Sequence, residues 1–296
     1  MLMIELLLSC VGVLLSIAFF TLVERKIMGL MHYRKGPNKV ILSGVSQPIS
    51  DAAKLLTKEN VNYSHNKMSM YTMGPCVSLM VMLLCWGAYS HTYGGISSTL
   101  KILVVVSIMS LSAYGLIFMS WGSNSKYALL GGYRSIAQLI SYEVCLILFM
   151  LVMLYTAGSY HFTSLSLVQQ NYWFGVASLP LLLTWMLLCM AESNRTPFDL
   201  SEGESELVSG FNVEYGAGLF AFIFISEYGM ILLLSFITTM LFLGASVILL
   251  KTMMISMVFI WVRCSFPRVR WDMLMMTAWK LILPFSVSAL TLGLIL

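Results

Sequence analysis

Long apolar runs broken by short charged intervals set the reading of this chain. Stretches of span length recur at about Met3–Val23, Tyr71–Ser90, Leu100–Trp121, Ile136–Ala157, Phe174–Ala191 and Thr277–Leu296. About 20 apolar residues suffice for a helix to cross the hydrocarbon of a bilayer. Gly216 to Val262 is apolar except for Glu227 and Lys251. It is too long for one crossing and divides near Gly244 into two. The pattern therefore predicts an all-α, polytopic membrane protein with eight transmembrane helices. One further element is legible between the first two spans. In Gln47–Glu59, the residues Ile49, Ala52, Ala53 and Leu56 recur at i, i+3, i+4, i+7, with Asp51, Lys54 and Lys58 off that stripe. That is a short amphipathic helix suited to lie in the membrane interface, and Gly36-Pro37-Asn38 marks a turn before it.

Composition agrees with this picture. The chain is 59% hydrophobic and 10% charged, where a soluble domain carries about a quarter charged residues. The longest polar interval, 24–69, is too short and broken for a soluble domain, so residues 1–296 are read as a single integral membrane domain. The first 23 residues have no basic leader or small-residue cleavage site and read as a span, not a targeting peptide. The charges are one-sided. If eight spans alternate, the intervals 24–69, 122–134, 192–214 and 263–280 share one side and carry 15 of the 17 Lys and Arg. Lys101 and Lys251 remain on the other. The positive-inside rule puts the basic side inside and both termini outside.

Candidate metal and redox chemistry is sparse. The six cysteines form no C-x-x-C, the four histidines no H-x-x-x-H, and there is no G-x-G-x-x-G or P-loop. No zinc, haem or iron–sulfur ligand set is legible, no metal site is expected, and nothing points to nucleic acid. Electrons in any redox reaction of this chain would travel elsewhere. The 23 methionines fit a mitochondrial genetic code.

What stands out is Glu192 to Glu214. It holds Glu192, Asp199, Glu202, Glu204, Glu206 and Glu214 against one base, Arg195, and so gathers six of the 13 acids of the chain. Charge crowded between two apolar helices repels itself, which calls for a cationic partner or shared protons. Arg25, Arg34, Lys54 and the bases of 263–270 lie on the same side. Thr196-Pro197-Phe198-Asp199 predicts a helix start, with Thr at the N-cap and Pro first in the helix, and short helical turns after it. In such a turn Glu202 and Glu206 face each other at i, i+4. Leu200, Leu207, Val208 and Phe211 argue against a purely solvated loop. Glu143 and Glu227 lie inside spans, where a charged Glu costs about 2.5–3.5 kcal/mol. Such acids serve proton relays or ion paths, or pair with a cation or tyrosine on a neighbouring helix. With Glu192 and Glu214 at helix ends they could form a chain of carboxyls into the membrane.

The segments T-L-V-E-R-K-I-M-G (21–29), R-K-G-P-N-K-V (34–40), Q-P-I-S-D-A-A-K-L-L-T-K-E (47–59), 192–214 and W-V-R-C-S-F-P-R-V-R-W-D-M-L-M (261–275) resemble the quinone-site membrane subunit of respiratory complex I, nearly end to end. The resemblance implies eight transmembrane helices that build the membrane part of a ubiquinone tunnel. It implies a mitochondrial inner membrane location with both termini on the intermembrane-space side, and ubiquinone and membrane lipid as bound molecules. Partners would be the other membrane and peripheral-arm subunits, which carry FMN and iron–sulfur clusters, while this chain binds no cofactor. It places Arg25, Arg34, Arg195, Phe198, Asp199, Glu202, Glu204, Glu206, Arg263 and Arg268 on the quinone cavity or its rim. Glu143, Glu192 and Glu227, with Glu214 beside them, fall on an acidic path towards the proton-pumping arm. Two other classes stay open on residues alone. One is a secondary transporter using Glu143 and Glu227 for a coupling ion, although no internal repeat is visible. The other is a structural anchor for a peripheral complex, which the buried acids disfavour.

Overall fold

The computed structural model describes residues 2–59, 65–90, 100–170, 172–200, 203, 207 and 210–295. Among them the regular elements are all helical. Lipid offers no hydrogen-bond partner, so a spanning backbone must satisfy itself, and helices do so within one segment. Among the described residues, seven helices or helix pairs are long and apolar enough to cross a membrane, and one apolar helix is shorter.

Helix α1, Leu2–Met31, runs eight residues past the predicted end at Val23, carrying Glu24, Arg25 and Lys26 into the helix. Helix α2, Gln47–Thr57, is the amphipathic element. Ile49 is 68% and Leu56 69% exposed, so its apolar stripe faces away from the bundle, as an interfacial helix requires. Span two is α3, Met68–Ser90. Span three is broken into α4, Lys101–Met109, and α5, Ser112–Gly122. The longest helix, α6, is Lys126–Ala157. It absorbs Gly131-Gly132-Tyr133-Arg134, expected before the span. Its N-cap is Ser125, whose Oγ accepts from Ala128 N–H, and it ends at Gly158 with φ 65°.

The short α7, Phe162–Val168, and α8, Phe174–Ala177, precede α9, Leu179–Glu192. The break at Ser178 divides the predicted fifth span. Helix α10, Ala217–Thr238, continues as a π turn, Thr239–Leu243, to Gly244 at φ 71°, and α11 is Ile248–Ser265. The split at Gly244 thus lies where the sequence puts it. Gln169 Nε2 donates to Met240 O and Leu241 O, both at 3.0 Å. Lys251 Nζ donates to Leu243 O at 2.6 Å and Ser246 Oγ at 2.8 Å, and lies 4.5 Å from the Trp173 ring centre. These two side chains satisfy carbonyls that the end of a helix leaves open. The chain closes with α12, Trp271–Met276, a π turn, Thr277–Ile282, and α13, Leu283–Ile295.

The core lies around α6, α9 and α10, where Tyr142, Phe149, Trp185 and Leu234 are buried. Small residues allow close helix approach, as is usual in membranes. A Cβ on Gly74 would lie 2.8 Å from Met119 N, so only glycine lets α3 meet α5 there. One on Gly131 would lie 2.8 Å from Gly210 Cα, so α6 seats the turn Gly210–Asn212 that ends the acidic segment.

Candidate functional site

The acidic segment enters from α9 and does not form the expected helix at Thr196. Its carbonyls are taken by distant donors instead of by residues four ahead. Gln138 Nε2, on α6, donates to Ala191 O at 2.9 Å and Phe198 O at 3.1 Å. Val269 N–H, in the basic segment, donates to Pro197 O at 2.9 Å. Phe198 N–H donates to Arg195 O at 2.8 Å, closing a turn, and the Thr196–Pro197 peptide is cis. Phe198, Asp199 and Leu200 are all buried. A helical bond does form later, from Leu207 N–H to Gly203 O at 2.9 Å. Glu202, Glu204 and Glu206 lie outside the described residues.

This turn aims Arg195 into the bundle, where its guanidinium donates to Glu227 Oε2 of α10 at 3.1 Å. The guanidinium lies 4.5 Å from the Tyr228 ring centre, a cation–π distance. Tyr228 in turn lies beside Glu24 of α1. Glu24, 4% exposed, is ion-paired with Arg263 of α11. Glu192, 8% exposed, ends α9 with one carboxyl oxygen buried and without a hydrogen-bond partner. Glu143 of α6, half-buried, is its electrostatic neighbour.

Two small cavities join the groups from Arg263 to Glu192. One, of about 20 Å³, is lined by Glu24, Arg263, Tyr228, Arg195 and Ser193. The other, of about 70 Å³, is lined by Ser193, Glu192, Asn194, Ser226 and Glu227, which is room for several waters at about 10–15 Å³ each. Ser193 lines both. The acids and bases therefore make one string, Arg263–Glu24, Tyr228, Arg195–Glu227, Glu192 and Glu143. Behind the turn lies a far larger cleft of about 750 Å³ between α9 and α11, closed by Pro197, Phe198, Phe266 and Val269, with apolar walls except for Thr238.

Some expectations fall elsewhere. Among the described residues, Arg25 is not paired with the acidic segment. It pairs with Asp51 of α2 at 2.7 Å, because the extension of α1 brings it over that helix. With Arg34 it lines an open basic recess of about 490 Å³. Of the 263–270 bases, Arg268 does reach the acidic segment, its guanidinium beside Gly203. Glu214 lines neither small cavity. Its carbonyl accepts from Tyr71 OH at 2.8 Å.

Glu24, Gln138, Tyr228 and Ser193 are additions. Glu24 is visible in the sequence as an acid at the predicted end of a span, and the helix runs on past it to Met31. Gln138 was visible as an amide inside an apolar helix.

The NADH dehydrogenase family model matches residues 4–294. Chains described as NADH-ubiquinone oxidoreductase chain 1 are similar over nearly the full length. That of Sarcophilus harrisii is 43% identical, covering 96% of this chain and 93% of the relative. That of Aedes aegypti is 46% identical, covering 96% and 92%, and that of Osphranter rufus is 44% identical, covering 97% and 94%. Read together with the helical bundle and its buried string of charge, they place this chain in the NADH dehydrogenase family, as a multi-span membrane subunit of the NADH–ubiquinone oxidoreductase complex.

Proposed function

We propose that this chain forms the membrane wall of the ubiquinone tunnel and couples quinone reduction to proton translocation through buried carboxylates. It does so in the mitochondrial inner membrane, with both termini on the intermembrane-space side. Electrons come from FMN and iron–sulfur clusters in partner subunits. Reduction of the quinone to quinol takes two electrons and two protons, and the charge that arises at the quinone acts on the nearest titratable groups. Arg25, Arg34, Phe198, Asp199, Arg268 and the acids 202, 204 and 206 line the quinone cavity or its rim. Arg263 and Arg195 hold the near ends of the string. Glu227, Glu192 and Glu143 carry the disturbance on into the membrane arm, with Glu214 at the loop end.

The observation that supports this most is the continuity of the string. An acid held by a guanidinium, next to an acid with one buried carboxyl oxygen left unbonded, across a cavity with room for water, is an arrangement in which a proton or a cation can change sides. A purely structural ion pair needs neither the second acid nor the cavity. Acids inside a membrane are costly and are kept where they work.

Substitution by glutamine tests it, since glutamine keeps the volume and removes the titration. In assembled complex, Glu143→Gln and Glu227→Gln are expected to lose proton pumping, while Glu143→Asp and Glu227→Asp keep part of it. Quinone reduction and pumping are measured separately. Full coupling in both Gln variants with failure of both Asp variants would show that these acids only hold helices together.

A further inference from the structure

We infer that Gln138 is a positioning residue that holds both ends of the acid–base turn with one carboxamide, so that movement at Phe198 is felt at Glu192. The inference rests on the coupling role proposed above and adds a residue to it.

Gln138 is 1% exposed in the middle of α6. Its Nε2 carries two hydrogens, and each has a carbonyl, Ala191 O at 2.9 Å and Phe198 O at 3.1 Å. Between those carbonyls lie only residues 192–197, among them Glu192 and Arg195. One carboxamide thus fixes where the turn begins and where it ends. The Ala191 carbonyl lies in the last turn of α9, where it also accepts from Asn194 N–H at 3.3 Å, and Gln138 supplies it a second donor from a neighbouring helix.

One turn along α6, Tyr142 completes the seat. Its hydroxyl donates to Leu274 O at 2.8 Å, and its ring lies 6.3 Å from that of Phe198. Phe198 is therefore held by its backbone through Gln138 and touched at its ring by Tyr142. Its other side closes the 750 Å³ cleft. A push on Phe198 strains one of the two bonds of Gln138, and the other bond ends on the residue that precedes Glu192. Few side chains could replace this one. Methionine has the length but no donor, asparagine lacks a methylene of reach, and a protonated glutamic acid brings a single hydrogen.

The test uses the assembled oxidoreductase with Gln138→Met and Gln138→Glu. Ferricyanide-linked NADH oxidation checks the peripheral arm. The apparent KM for decylubiquinone and the protons moved per electron are the readouts. Gln138→Met loses both hydrogen bonds and is expected to raise KM about 5–150-fold, the factor that losing two net hydrogen bonds gives, and to lower the protons moved per electron. Gln138→Glu is expected to fall between it and the parent. A residue that merely fills space would leave protons per electron unchanged. If Gln138→Met does not assemble, Gln138→Glu decides on the same two readouts. Unchanged KM and unchanged protons per electron in the assembled variants overturn the inference. Glu192→Gln separates the two levels. Lost pumping there beside normal Gln138 variants removes only the positioning role, whereas full pumping in both Glu192→Gln and Glu227→Gln removes the coupling reading itself.

Discussion

Arg195 joins charge, stacking and direction in one side chain. It pairs with Glu227 and lies over Tyr228, and both it and its partner are largely buried. A guanidinium offers a planar fork and a stacking face together, which an ammonium does not. Removing one partner of a buried pair costs about 3–5 kcal/mol, because the other charge stays behind unpaired. Arg195→Ala is therefore expected to raise quinone KM and lower the temperature at which quinone reductase activity is lost, with Arg195→Lys recovering only part. An assembled Arg195→Ala complex with parental kinetics would take Arg195 out of the site. The half-exposed Arg25–Asp51 pair is a different case. Pairs of that kind contribute about 0–1 kcal/mol, so Asp51→Asn should leave thermal stability nearly unchanged. From the sequence, the scarcity of charge singled out Arg195, Glu143 and Glu227. Their partners were not legible, because pairing depends on which helices are neighbours and how far each one runs. Glu24 shows this, since eight further residues of helix put it inside the bundle opposite Arg263.

Among the elements, the described ends of the acidic segment are each gripped from other helices. At its start Gln138 and Val269 take the carbonyls. At its finish two tyrosines form a clasp. The rings of Tyr71 and Tyr215 stack at 4.4 Å, 4° from parallel. Tyr71 OH donates to Glu214 O at 2.8 Å, and Tyr215 OH to Tyr71 O at 3.0 Å. Burial, and next the neighbouring Tyr71, push the Tyr215 hydroxyl well above the usual tyrosine range, so it stays protonated and a donor through the whole working range of pH. Tyr215→Phe keeps the stack and loses that bond, a net cost of about 0.5–1.5 kcal/mol. Amide hydrogen exchange over 210–215 should accelerate in that variant and stay unchanged in α13. Equal protection in parent and variant would mean that the Gly131–Gly210 contact holds the segment alone. The sequence showed the amphipathic helix and the link at Gly244, because periodicity and glycine are local signals. It did not show the turn at Thr196, where local capping favours a helix and tertiary donors on α6 and at Val269 outcompete it. The break at Ser178 does have a local mark, Pro180 in the first turn of α9.

On the scale of the molecule, the distribution of charge decides which way the bundle sits. Fifteen of 17 basic residues fall in intervals on one side, and those intervals do meet in space. Lys67 N–H donates to Gly122 O at 3.0 Å, Arg263 pairs with Glu24, and Val269 N–H donates to Pro197 O. The short α9 fits the same arrangement. At about 1.5 Å per residue its 14 residues rise only about 21 Å, so the chain returns to the charged face through the turn at 192–198 and not through a longer helix. A bias of this size in short loops orients a multi-span protein with its basic side inward. The charged face is thus expected in the mitochondrial matrix, where it can meet the peripheral arm that delivers electrons. Single cysteines report this directly, in a background with Cys10, Cys76, Cys85, Cys145, Cys189 and Cys264 replaced. Tyr33 on the charged face and Tyr172 on the other are both well exposed, so Tyr33→Cys and Tyr172→Cys should assemble and remain open to a reagent that does not cross the membrane. In mitochondria with the outer membrane removed, Tyr172→Cys should label at once and Tyr33→Cys only after the inner membrane is opened. In inverted vesicles freed of the peripheral arm the order should reverse. Labelling of Tyr33→Cys in sealed mitochondria would turn the bundle over, and would put the string of acids and its basic rim on the side away from the electron source.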